Sequence, residues 1–171
     1  MMKKTLFTIA SICVKVLQYL FIFCAILTAF GTVAFISQKN LVLSYVKELS
    51  LNTPYFLFIT VGFMGVIVLI CYGMSAKYFA SILKNMASEN YFIQENSRFS
   101  LIITLLTLLI ILVQLISTFV FQWFDIPKTS ALFNFSHVNY FYNIVIVLIA
   151  SAAYFIFKSG KATKDDAESI I

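Results

Sequence analysis

Four long stretches of this chain contain no charged residue and no histidine: 16–36, 55–76, 99–124 and 140–157. A helix needs about 20 mostly apolar residues to cross about 30 Å of hydrocarbon. The four stretches run to 21, 22, 26 and 18 residues, so each meets or approaches that length. Together they cover 87 of 171 residues and leave no connecting segment long enough for a folded soluble domain. The composition agrees: 61% of the residues are apolar and 11% charged, against about 45–50% and about 25% in a soluble domain. A soluble enzyme domain, a disordered tail and a disulfide scaffold are thereby excluded. The expected architecture is an all-α integral membrane four-helix bundle with short loops, forming one membrane domain over 1–171.

The third stretch would reach about 39 Å as a helix at 1.5 Å per residue, so it must tilt or begin before the hydrocarbon. The first follows Lys3 and Lys4 as a secretory signal would. Its apolar run exceeds the usual signal core, and no small-x-small cleavage site follows, so a retained helix is expected.

Charge fixes the expected orientation. Lys3, Lys4, Lys15, Lys77, Lys84, Arg98, Lys158, Lys161 and Lys164 fall on one side of the spans, and Lys39, Lys47 and Lys128 on the other. Nine against three places both termini, the loop 77–98 and the tail 158–171 in the cytoplasm. The net charge of +5 is thus topological, and no direct nucleic-acid partner is expected. Aromatics crowd the opposite rim at Phe121, Trp123, Phe124, Phe133, Phe135, Tyr140, Phe141 and Tyr142, as interfacial anchors do. In the first outer loop, Leu41, Val42, Tyr45, Val46 and Leu49 follow helical spacing. They predict a short amphipathic helix on the membrane surface, ended at Asn52-Thr53-Pro54.

Chemistry-bearing residues are sparse. His137 is the only histidine, and one histidine makes neither a zinc site nor a paired haem site. Cys13, Cys24 and Cys71 lack Cys-x-x-Cys spacing, so they give no disulfide framework or metal site. No phosphate-binding Gly-rich loop or Gly-x-Ser-x-Gly motif occurs. The absence of ionisable groups from the spans weighs against a pump or a proton-coupled transporter. No enzyme and no cofactor is expected.

Polar residues nevertheless fall in the spans. Ser100, Thr104, Thr107, Gln114 and Thr118 form a 4-3-4-3 stripe on the third, with Ile111 in the missing place. That spacing holds one helix face. Thr104, Thr107, Gln114 and Thr118 are its candidate functional residues, as a pocket lining or as a seam between helices. Gln114 is foremost, because a lone amide at mid-membrane wants a partner. Gly31 and Thr32, Gly62 and Gly65, and Ala150 to Ala153 supply small residues for close helix approach.

In the middle loop, Phe79, Ile82, Leu83 and Met86 continue the second helix with one apolar face, and Ser88-Glu89-Asn90 ends it. Asn96 or Ser97 is placed to cap the third helix, and Glu95 suits the positive end of its dipole. Capping leaves Tyr91, Phe92 and Ile93 unexplained. With Glu95, Asn96 and Arg98 they are the candidate partner-binding residues. In the tail, Gly160 is expected just beyond the end of the fourth helix, followed by a solvated segment.

Phe92-x-x-Glu95-Asn96, opening the third span, and Phe157-Lys158-Ser159-Gly160, before an acidic tail with an aliphatic terminus, resemble a bacterial four-span membrane family known as domain of unknown function 2975. The four-span layout matches along nearly the whole chain. Where members usually carry a Gly and a small or Pro-like residue before the Phe, this chain has Glu89-Asn90-Tyr91. Where they commonly end in acidic residues, Leu-Thr and an aliphatic, it has Glu168-Ser169-Ile170-Ile171.

The resemblance implies no established activity. Genes of the family often neighbour a small helix-turn-helix transcription regulator. It therefore implies a cytosolic partner of that kind, bound by the middle loop and the tail. With the Lys-, Asn- and Ile-rich composition and the lack of an organelle signal, it also places the chain in a bacterial cytoplasmic membrane. The expected function is a non-enzymatic regulator whose bundle senses lipid or a small ligand. The alternatives are a small transporter, channel or immunity-type protein using the polar face of the third span, and a structural subunit of a larger complex. Membrane lipid is the one general partner, and a homo-oligomer is compatible with the small-residue faces.

Overall fold

The structure, a computed structural model, describes residues 2–40, 44, 55–124 and 137–169. Four helices account for nearly all of them: α1 (Met2–Ser37), α2 (Tyr55–Ala87), α3 (Gln94–Trp123) and α4 (His137–Ser169). Among the described residues there is no strand. All four helices are long and apolar enough to cross a membrane. The expected surface helix around Leu41 to Leu49, Phe133 and Phe135 lie outside the described residues.

Every helix outruns its apolar stretch. Lys3 and Lys4 lie inside α1, and the whole of residues 77–87 lies inside α2. The predicted stop at Gly160 does not occur: α4 continues to Ser169. Charged residues mark the end of an apolar run, not the end of a helix. Lys, Ala and Glu in the extension are good helix formers. Lys161 reaches Asp165 at 3.9 Å and Lys164 reaches Glu168 at 3.6 Å, each four residues on.

The helices run up and down. α1 packs along α2, α2 along α3, and α3 along α4, while other pairs meet marginally. The start of α1, the α2–α3 connection and the end of α4 therefore share one end of the molecule, called here the loop end. The nine cationic residues counted together above belong to this end, and Lys39 to the opposite one.

Burial is inverted relative to a soluble protein. Asn96, Ser100, Thr107, Gln114, Ser117 and Asn143 are buried, whereas Leu6, Tyr19, Phe23, Phe30, Phe119 and Leu148 are exposed. Exposed apolar surface of this extent is untenable in water and natural against acyl chains.

Two small apolar cores lie among these helices, the first joining α2 and α3 and the second joining α2, α3 and α4. Val68, Cys71 and Ile110 form one, and Ile82, Ile103, Ala150 and Phe157 form the other, nearer the loop end. α1 joins neither and lies on α2 through a seven-residue repeat, Ser11, Gln18, Ala25 and Thr32. Ser11 Oγ donates to Ala80 O (2.9 Å). Gln18 O and the Phe21 and Ile22 side chains approach Gly73, and Thr32 presses on Gly62, where a Cβ would overlap its side chain. A seven-residue repeat of small contacts suits nearly antiparallel packing. Gly31, expected to share in this approach, faces open space.

Candidate functional site

Residues at the end of α2 shape the loop that follows. Glu89 N–H donates to Met86 O (3.0 Å) and Asn90 N–H to Asn85 O (3.0 Å). This paired closure needs a left-handed residue at its corner. Glu89 fills that place at φ 62°, where glycine is usual.

The expected caps on α3 are not formed. Ile93 holds the N-cap position in extended backbone, without a side-chain cap bond. Ser97 Oγ donates to Gln94 O (2.9 Å). Asn96 turns back to the loop: its Nδ2 donates to Asn90 O (3.1 Å) and Tyr91 O (2.9 Å), while its Oδ1 accepts from Asn85 Nδ2 (2.7 Å). Both donor hydrogens and one acceptor position are used, and Asn96 is fully buried. Loop carbonyls left over from the α2 closure outcompete free amides at the α3 start. Asn96 therefore locks the loop and offers nothing to a partner.

The remaining candidates surround that lock. Glu95 and Arg98 are exposed, and Tyr91 and Ile93 are half-buried. Phe92 is 43% exposed, with its ring against Gly160. A Cβ at Gly160 would overlap the ring. Lys161 Nζ donates to Gln94 Oε1 (3.4 Å) beside this contact. The two motifs that carry the family resemblance thus meet at one place, through Phe92 and Gly160, 68 residues apart in sequence. This is the physical reason for glycine at 160: it lets an aromatic ring lie on the α4 backbone within an unbroken helix.

The polar residues of α3 have a different arrangement. Its buried line runs through Asn96, Ser100, Ile103, Thr107, Ile110, Gln114, Ser117 and Phe121. Thr104 and Thr118, read as part of the stripe, flank that line and are half-buried. Thr104, Thr107 and Thr118 each donate to the carbonyl four residues back, Ser100 O, Ile103 O and Gln114 O. Their hydroxyls are thereby satisfied within α3, so they need no place in the centre.

Gln114 does find a partner. Asn143 Nδ2 donates to Gln114 Oε1 (2.9 Å), and Tyr72 Oη donates to Asn143 Oδ1 (3.2 Å). Phe21 stacks on Tyr72 with ring centroids 5.5 Å apart. One polar chain thus links α2, α3 and α4, with α1 resting on its end. The sequence reading passed over Asn143 and Tyr72. The available signal was a single asparagine inside the fourth apolar stretch, which carries the same demand for a partner as Gln114. This arrangement is a seam: the bonds of Tyr72, Asn143 and Gln114 join helix to helix, and those of Thr104, Thr107 and Thr118 close within α3.

Among the described residues no group of three His, Cys, Asp or Glu side chains can hold a metal. The three cysteines are free. No protein-family model, curated protein or solved structure matches the chain.

Proposed function

We propose that the chain is a non-enzymatic membrane protein of a bacterial cytoplasmic membrane, with both termini inside. It holds a cytosolic protein against a platform made jointly by the α2–α3 loop and the end of α4. The observation that carries this reading is the seating of Phe92 on Gly160, which makes two separate segments one surface. On it lie an exposed aromatic ring, the carboxylate of Glu95 and the guanidinium of Arg98, beside the charged run from Lys161 to Glu168. Such a mixture of an aromatic anchor and rim charges suits a protein partner. By the family resemblance, the partner is a small helix-turn-helix transcription regulator held away from DNA.

The test is affinity capture from the native host in mild detergent. Intact chain is compared with Glu95→Lys/Arg98→Glu, which changes only exposed charges, and with Phe92→Ala. A DNA-binding protein recovered with intact chain and at least tenfold less with both variants supports the proposal. Equal recovery with all three, or recovery of the chain alone, overturns it.

A further inference from the structure

Near the loop end the four helices line a cavity of about 500 Å³, walled almost entirely by carbon and open on one side. α2 contributes one continuous face to it, from Tyr72 to Met86, a length of about 21 Å at 1.5 Å per residue. Spread over that length, the volume corresponds to a channel roughly 8 Å across. A helix about 10 Å across cannot enter so narrow a space. Water gains nothing in an apolar one. The length exceeds one leaflet of a hydrocarbon core about 30 Å thick. The cavity is thus long, narrow and apolar, as a single hydrocarbon chain is.

Two features show how such a chain would enter and be held. α1 and α4 form the cavity's side walls but do not pack extensively on each other. Leu17 on α1 and Ile149 on α4 both line the cavity and are exposed outside it. The cavity is therefore open sideways, toward whatever surrounds the bundle. Second, Ser75 Oγ and Ser100 Oγ, both in the lining, are buried without a hydrogen-bond partner. Thr104, Thr107, Ser117 and Thr118 all donate to their own helix, so the two free hydroxyls are exceptions on these faces. A buried hydroxyl without a partner is destabilising, because it has given up its bond to water and gained none in return. Ser100 is 1% exposed and is the second residue of the uncharged stretch 99–124, at the loop-end edge of the part of α3 apolar enough for hydrocarbon.

We infer that this cavity binds one acyl chain of a bilayer phospholipid, which enters between α1 and α4 and places its ester carbonyl oxygen to accept from Ser100. The chain then passes Ser75 and ends against Phe21 and Tyr72.

The experiment uses the full chain in vesicles of phosphatidylethanolamine and phosphatidylglycerol, with a fraction of the phosphatidylglycerol carrying a diazirine in its acyl chain. After photolysis, adducts are mapped by mass spectrometry. Ile103 and Ala150 are the reporters, because both line the cavity and are buried from the surrounding lipid. Adducts are expected on them at least tenfold above Val68 and Ile110, which are buried outside it. Ala153→Phe, or Ala76→Leu on the facing wall should the first not fold, lowers them at least tenfold. Adducts on the outward Phe23 and Phe119 stay unchanged. Ser100→Ala lowers the reporters several-fold, and Ser75→Ala does not. Labelling of Ile103 and Ala150 no higher than of Val68 and Ile110 overturns the inference. So does indifference to the filling variants, a larger loss with Ser75→Ala than with Ser100→Ala, or labelling by diazirine palmitate that exceeds labelling by the phospholipid.

Discussion

Glu89 is the one described non-glycine residue with positive φ, and nothing in its side chain explains it. A left-handed conformation costs an ordinary L-residue about 1–2 kcal/mol. Glycine avoids that cost but loses more backbone freedom on folding. Glu89→Gly is therefore expected to raise the stability of the α2–α3 hairpin by about 1 kcal/mol, read as a higher midpoint of unfolding in a denaturing detergent. An unchanged or lower midpoint would show that the corner is not strained. The same position was hard to read from sequence. Ser88-Glu89-Asn90 is plainly a break, but no residue there announces a left-handed corner. Asn96 misled for a related reason: an asparagine near a helix start is as fit to bond carbonyls behind it as amides ahead of it. Only the path of the loop decides which are in reach.

At the level of helices, hydropathy located all four elements, and with the apolar face through Met86 it placed both ends of α2, but it missed the starts of α1, α3 and α4 and the far end of α4. Hydrophobicity reports where lipid can surround a helix, and α2 and α4 continue well past that point. The polar stripe on α3 was legible to within one residue of its true line. Ser100, Thr107 and Gln114 belong to both. The error at Thr104 and Thr118 arose because a threonine can satisfy its hydroxyl from its own helix and so tolerates the flank. What sequence could not supply was the pairing of Gln114 with Asn143, since nothing in either span sets their relative height. The pair gives a quantitative prediction. In a double-mutant cycle with Gln114→Leu and Asn143→Leu, the coupling should lie at about 0.6–1.7 kcal/mol, the range for side-chain hydrogen bonds between membrane helices. Coupling near zero would mean that the two amides do not depend on each other. Loss of partner capture in Gln114→Leu at unchanged expression would move the function from the loop end to the seam.

For the whole molecule, the up-and-down order commits both ends of the described chain to one side of whatever the helices cross. The proposed orientation makes that side the cytoplasm. In right-side-out vesicles, a thiol reagent that does not cross membranes should leave a cysteine at Ser159 unlabelled and label one at Lys39 in full, a contrast of at least tenfold. Ser159→Cys and Lys39→Cys are both exposed positions, tested in a chain whose three native cysteines are replaced by alanine. Equal labelling, or the reverse order, would overturn the orientation and with it the cytosolic platform.

The seating of Phe92 and the bond from Asn143 to Gln114 share a property that bears on biosynthesis. In both, a group on or beside α3 waits for its complement on α4, and Asn143 follows Gln114 by 29 residues. When α3 has been synthesised and α4 has not, Asn143 is not yet there to bond Gln114 and Gly160 is not yet there under Phe92. Arrival of α4 closes both at once. A chain interrupted before that moment lacks both the Asn143 amide that bonds Gln114 and the glycine on which Phe92 rests. The last helix is therefore the step that completes both contacts at once.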